Sequence, residues 1–101
     1  MAIQSFGDKV TETFYLNGTV PRNIGWRSVA NIATRKLDMI AYAKVLDDMK
    51  APPNNRLEKL KGDLAGFYSI RINDQWRIIF QWTHHGPGKV KIIDYHQKPR
   101  G

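Results

Sequence analysis

The sequence predicts an α+β domain in which helices pack on an antiparallel sheet, and three observations carry that reading. Apolar residues recur at spacings of three and four between Trp26 and Val45. Two alternating segments, Phe67 to Ile72 and Trp76 to Trp82, stand close together in the chain. A third strand-like run, Val90 to Tyr95, closes the sequence. Strands gathered after helices point to α+β rather than to alternating parallel units.

The elements follow in order. Ala2 to Phe6 is short enough for a first strand and is broken by Gly7. Asp8 is placed to cap a helix over Lys9 to Leu16, which Asn17-Gly18 ends, with Val10, Phe14 and Thr11 on its inner face. After the loop "NGTVPRNIG", Val29, Ile32, Ala33, Leu37, Ile40, Ala41 and Val45 form the stripe of an amphipathic helix, with Ser28 or Asn23 as its cap. Arg27, Arg35, Lys36 and Lys44 lie largely off that stripe. The prolines of "KAPPNNR" stop the helix, because proline lacks the N–H and restrains the residue before it. "LEKLKGDLAGF" reads as a loop and "THHGPGK" as a turn.

The register of the central hairpin can be argued from its apolar set. A two-residue connection would place Ile70 and Tyr68 on the face of Arg77 and Gln81. A three-residue connection, Asn73-Asp74-Gln75, pairs Ile72 with Trp76 and gathers Tyr68, Ile70, Ile72, Trp76, Ile78, Phe80 and Trp82 on one face. A one-residue slip exchanges the two faces, so burial selects the longer connection. The other face then carries Ser69, Arg71, Arg77, Ile79 and Gln81, two arginines on an exposed hairpin surface.

Composition narrows the function. At 101 residues the chain is read as one domain spanning 1–101, since domains of about 100–150 residues are the commonest size. It has no cysteine, so disulfides, thiolate metal sites and a cysteine nucleophile are excluded, which suits a reducing cytoplasm. The start "MAIQSFGDKV" lacks the basic and apolar regions of a signal peptide, and no run is long enough to span a membrane. Sixteen Lys and Arg against nine Asp and Glu give a net charge of +7. Such a balance raises the local concentration of polyanions, of which nucleic acid is the commonest, although an anionic membrane or an acidic protein also fits.

Chemistry-bearing residues collect at the end of the chain and around the hairpin. The last strand runs into Asp94, Tyr95 and His96, three proton-exchanging groups in succession. The hairpin offers Arg71 and Arg77, and the preceding loop offers Glu58, Lys59 and Lys61. Cleaving an RNA phosphodiester needs a base for the 2′-hydroxyl, cations at the developing phosphorane and an acid at the leaving 5′-oxygen. These groups can fill all three roles without a metal, and no H-E-x-x-H-like spacing suggests one. Arginine suits the phosphate because its planar fork matches two oxygens. Each residue has a plainer reading as well: solvated strand arginines, a surface histidine, an aspartate at a turn. Trp76, Phe80 and Trp82 alternate as core residues rather than as a base-stacking platform. Residue patterns alone reach a small basic α+β domain that binds RNA or a protein partner.

The span "PPNNRLEKLKGDLAGFYSIRINDQWRIIFQW", followed by "VKIIDYH", resembles the HigB branch of the RelE/ParE toxin superfamily, including its GraT-like members. The blocks "RLEKLKG", "SIRINDQWRI" and "DYH" carry the resemblance, and "IQSF" and "RKLDMIAYA" match more loosely. It implies a RelE-like microbial ribonuclease fold, two N-terminal helices packed on a small twisted antiparallel sheet. It implies the toxin of a type II toxin–antitoxin system, a metal-independent and cofactor-free endoribonuclease that cleaves mRNA in the A site of the 70S ribosome and so inhibits translation and growth. A HigA-type helix-turn-helix antitoxin would neutralise it.

Residue by residue, the resemblance puts Lys61 and Arg77 at the phosphate and Asp94, Tyr95 and His96 in the terminal active-site segment. Glu58 stands where some relatives carry histidine; it can accept a proton but cannot act as an imidazolium. Arg71, Lys59, Lys98 and Arg100 are further RNA-binding candidates, the last two in a segment, 97–101, read as a flexible tail beyond the point where many relatives stop. The same superfamily holds ParE-like inhibitors of DNA gyrase that cleave nothing, so a non-enzymatic gyrase toxin and a simple basic binding module stay open beside the ribonuclease.

Overall fold

The computed structural model describes residues 2–95. Asp8 caps α1 (Lys9–Asn17), its Oδ1 accepting from the Thr11 amide at 2.9 Å. Gly18 closes the helix in the left-handed region at φ 74°, its N–H returning to the Phe14 carbonyl. The buried side chains of α1 are Thr11 and Phe14, while Val10 is exposed, contrary to the inner face expected of it. One turn of tighter helix over Arg27–Val29 leads into α2 (Ala30–Tyr42). That turn bonds the Arg27 and Val29 amides to the carbonyls of Ile24 and Trp26, so neither Ser28 nor Asn23 serves as a side-chain cap. The long helix also ends sooner than its stripe suggests. Asp48 Oδ2 accepts from the Lys44 and Val45 amides, turning the chain away and leaving Val45 exposed.

Among the described residues the sheet has four antiparallel strands in sequential order: β1 (Glu58–Lys59), β2 (Tyr68–Arg71), β3 (Trp76–Thr83) and β4 (Gly86–Asp94). β1 lies within the segment read as a loop, where Glu58 pairs with Ser69 and Lys59 with Tyr68. The β2–β3 register is the one the apolar set selects, Ile70 opposite Ile78 and Arg71 opposite Arg77. Asn73 Oδ1 accepts from the amides of Gln75 and Trp76, which shapes the connection. β4 starts earlier than expected. The turn is His84-His85 alone, and Gly86, Pro87 and Gly88 pair with Thr83, Trp82 and Gln81, with a bulge following between Gln81 and Ile79. Proline is tolerated on this edge strand, where its carbonyl takes the Gln4 amide. The segment expected as a first strand contributes one parallel bridge, Phe6 to Val90.

One face of this sheet meets the helices. Phe14 and Trp26, with ring centroids 4.6 Å apart, join Ala33, Leu37 and Ile40 of α2 and Ile70, Ile78, Phe80, Val90 and Ile92 of the sheet in one buried cluster. Trp76 and Trp82 pack against it half-buried, so the hairpin aromatics are core. The Thr11 hydroxyl accepts from the Ile92 amide, tying α1 to β4. Lys36, expected off the stripe, is 8% exposed and donates to Asn55, itself bonded to the Met49 and Ala51 carbonyls. Among the described residues no helix is long and apolar enough to cross a membrane.

Two outcomes follow from this packing. A Cβ on Gly25 would lie 2.5 Å from the Trp76 ring. Gly25→Ala should therefore cost about 1–3 kcal/mol of stability in urea denaturation, the usual range for overpacking. Burial, reinforced by the hydrogen bond to Asp38, pushes the Tyr15 phenol up to about 12 from 10.0. Folding then favours the protonated phenol, so this stabilisation is complete below pH 10 and is lost as pH rises toward 12. Tyr15→Phe should flatten that alkaline decline in stability, followed by circular dichroism.

Candidate functional site

Strand alternation sets out the sheet face away from the helices in rows. Glu58, Ser69, Ile79 and Lys91 form one row, and Arg71, Arg77 and Ile93 form the next. Tyr95 follows Ile93 by two residues and returns to this face. At the junction of the rows stands Arg77. Its Nη1 meets Glu58 Oε1 at 3.0 Å, and its Nη2 donates to the Arg56 carbonyl. Its guanidinium carbon lies 4.9 Å from the centre of the Tyr95 ring, and the Tyr95 hydroxyl donates to the same Glu58 oxygen at 3.3 Å.

Arg77 is not the exposed strand arginine of the sequence reading. It is 6% exposed, whereas the Glu58 side chain keeps 47% of its surface. The covering groups come from elsewhere: the Arg56 backbone, held in the left-handed region at φ 47°, the β1 segment after it, and the Tyr95 ring. Burial pulls the guanidinium below the ordinary arginine value, Glu58 and Tyr95 oppose that pull, and Arg71 and Arg56 add to it. Arginine stays charged in proteins nonetheless, so this is a desolvated cation with a half-exposed counterion. The Arg77 Nε and the Ser69 hydroxyl are buried without a hydrogen-bond partner among the described residues. Glu58 Oε2 likewise carries no partner there, because both bonds to Glu58 use Oε1.

The remaining candidates divide. Arg71 faces Arg77 across the ladder and pairs with Asp74 at 2.5 Å. Asp94 lies opposite Trp76, on the other face of β4 from Ile93 and Tyr95, and accepts from Gln75 Nε2 at 3.0 Å. Lys59 pairs with Tyr68 and so points away from the Arg77 face. Lys61 is exposed just before the tight helical turn Gly62–Leu64. His96, Lys98 and Arg100 lie outside the described residues. Among the described residues no group of three or more His, Cys, Asp or Glu is placed to hold a metal ion. Two contributors escaped the sequence reading. Arg56 acts through its carbonyl, which no side-chain pattern announces. Lys91 shares the site face, a position readable from β4 alternation, but its stem lies against Gly7 at the outer edge.

The grouping has energetic consequences. Removing the counterion of a buried guanidinium is costly, but water screens a carboxylate as exposed as Glu58. Glu58→Gln should lower stability by about 1–2 kcal/mol in urea titration. Tyr95→Phe keeps the ring over Arg77 and should cost no more than about 1 kcal/mol, the worth of one hydrogen bond.

A family model described as RelE-like toxin of type II toxin-antitoxin system HigB matches residues 4–96. The chain is 44% identical to toxin HigB-1 of Vibrio cholerae over 83 residues, 82% of this chain and 85% of that protein. It is 33% identical to an uncharacterised protein of Haemophilus influenzae over 82 residues, 81% of this chain and 80% of the other. A YoeB/ParE toxin from Agrobacterium tumefaciens superposes with a TM-score of 0.48 at 20% identity, covering 93% of this chain and 94% of that one.

Proposed function

The chain belongs to the HigB family of RelE-like toxins of type II toxin–antitoxin systems, and from that premise we propose that it is a ribosome-dependent endoribonuclease that cleaves mRNA in the ribosomal A site. A type II toxin implies an antitoxin partner; we propose one of the HigA type, with a helix-turn-helix domain, and cytoplasmic action on translation. The sheet-and-helix architecture then serves as a microbial-ribonuclease-like scaffold.

The observation that carries the reading is the desolvated Arg77 guanidinium between Glu58 and the Tyr95 ring. A preorganised cation in a low-dielectric setting acts more strongly on developing charge than one in water, and needs no reorganisation at the moment of reaction. In the proposed reaction the 2′-oxygen attacks the adjacent phosphorus while the bond to the 5′-oxygen breaks. The products are a 2′,3′-cyclic phosphate and a 5′-hydroxyl. Glu58 Oε2 accepts the 2′-hydroxyl proton, Arg77 and Lys61 stabilise the phosphorane, and His96 donates the proton to the leaving 5′-oxygen. Tyr95 orients Glu58 and covers Arg77, and Asp94 anchors the end of β4 through Gln75. Arg71, Lys98 and Arg100 contact RNA phosphates, and Lys59, which points to the other face of the sheet, contacts the strand only away from the scissile phosphate. Only RNA carries the internal nucleophile, so DNA is not a substrate.

With so few acid and base groups, positioning must supply much of the rate. Ribosomal RNA that orients the message can contribute up to about 7–11 kcal/mol in this way. Primer extension on a defined message, in a reconstituted translation system with and without ribosomes, tests the proposal. New 5′ ends should require ribosomes, and Arg77→Ala and His96→Gln should each cut the cleavage rate by about 10²–10³. Toxicity that survives both substitutions, with no new ends, would point instead to gyrase, tested by supercoiling.

A further inference from the structure

β1 pairs with β2 along Tyr68 and Ser69, and Arg71 lies beyond that pairing at the end of β2. Arg35 and Lys36 of α2, Asn54 and Arg71 line a cavity of about 220 Å³ together with the apolar Ile32, Met39 and Ile72. Three cations thus meet one pocket from two elements. Lys36 is 8% exposed, and among the described residues its hydrogen-bond partner is the neutral Asn55 side chain. Arg35 is solvent-facing and, among the described residues, has no carboxylate partner, while Arg71 pairs there with Asp74, whose side chain is 89% exposed. Burial holds the Lys36 ammonium below its ordinary value, and the charges of Arg35 and Arg71 depress it further. A buried ammonium between two guanidinium groups is a costly arrangement that a bound anion would relieve.

We propose that this pocket is a phosphate-binding subsite for the backbone of single-stranded RNA, continuous with Arg77 through Arg71. The inference rests on the ribonuclease reading and extends it to a second phosphate of the same strand. Arg71 connects the two places. It faces Arg77 across the β2–β3 ladder, and its charge is felt by both Arg77 and Lys36. A strand whose scissile phosphate lies at Arg77 and passes Arg71 therefore brings a neighbouring phosphate to the cavity that Arg71 lines. The planar forks of Arg35 and Arg71 suit its two non-bridging oxygens, and Lys36 supplies a point charge behind them. The cavity exceeds the ≈ 30 Å³ share of a water several-fold, which leaves room for a phosphate group.

The test joins two measurements on the full chain. Inorganic phosphate titrated against ¹⁵N-labelled protein should shift resonances of Arg35, Lys36 and Arg71 together. A fluorescent 2′-deoxy oligonucleotide, which cannot be cleaved, is then followed by anisotropy at several salt concentrations. Arg35→Gln, at an exposed position, should weaken binding roughly two- to fivefold and flatten the slope of log affinity against log salt by about 0.7. Lys36→Met, which keeps the stem and removes the charge, should abolish the phosphate shifts, with folding checked by the dispersion of the spectrum.

Phosphate shifts at the pocket with wild-type oligonucleotide binding by Arg35→Gln would overturn the RNA assignment. Competition by poly-glutamate in that case would assign the pocket to a protein carboxylate. No shifts at the pocket would remove the subsite outright, whatever the cleavage assay gives. A weakened, salt-flattened Arg35→Gln beside a toxin that never cleaves messages would keep the subsite and sink the ribonuclease reading.

Discussion

The β2–β3 register is the constraint on which the rest of the molecule depends. Asn73 Oδ1 holds the amides of Gln75 and Trp76, and the connection it shapes sets Ile70 opposite Ile78 and Arg71 opposite Arg77. From that pairing Ile70, Ile78 and Phe80 fall on the helix side, where they are fully buried against Leu37 and Ile40. The same pairing sends Arg71 and Arg77 to the other side. Slipping one strand by a residue would bury an arginine beneath α2 and expose an isoleucine, so the core and the site select one register together.

The charge of Arg77 is then managed by groups distant in sequence. Lying across the ladder from Ile93 and next to the β1 row, it is shielded by the Arg56 backbone and the Tyr95 ring and left one half-exposed carboxylate. Arginine suits this place better than lysine. Its planar group satisfies Glu58 and the Arg56 carbonyl at once, stacks under an aromatic ring, and keeps further N–H groups in reserve. The cost of burial is opposed by Glu58, and the exposed side of that carboxylate is open to water.

What was legible in the sequence follows from period and phase. The hairpin could be registered because seven apolar residues share one phase across a connection whose length alone was open. Asp8 and Gly18 announced the ends of α1 through ordinary capping chemistry. β1 was hidden because two residues cannot display a period of two, and the start of β4 was hidden because Gly86, Pro87 and Gly88 are turn residues placed in a strand edge. The burial of Lys36 depends on Asn55, and that of Arg77 on the Arg56 backbone, partners 19 and 21 residues away. Consecutive Asp94 and Tyr95 read as one group, yet strand alternation sends them to opposite faces.

The most direct measurement is a cryo-electron microscopy structure of the toxin on a ribosome whose message carries a 2′-deoxy nucleotide at the cleavage position. The account predicts the uncleaved phosphate within about 2.7–2.9 Å of an Arg77 nitrogen, with Glu58 beside the carbon that lacks its hydroxyl. A phosphate seated away from Arg77, with Glu58 and Tyr95 still closed over an unused guanidinium, would contradict it.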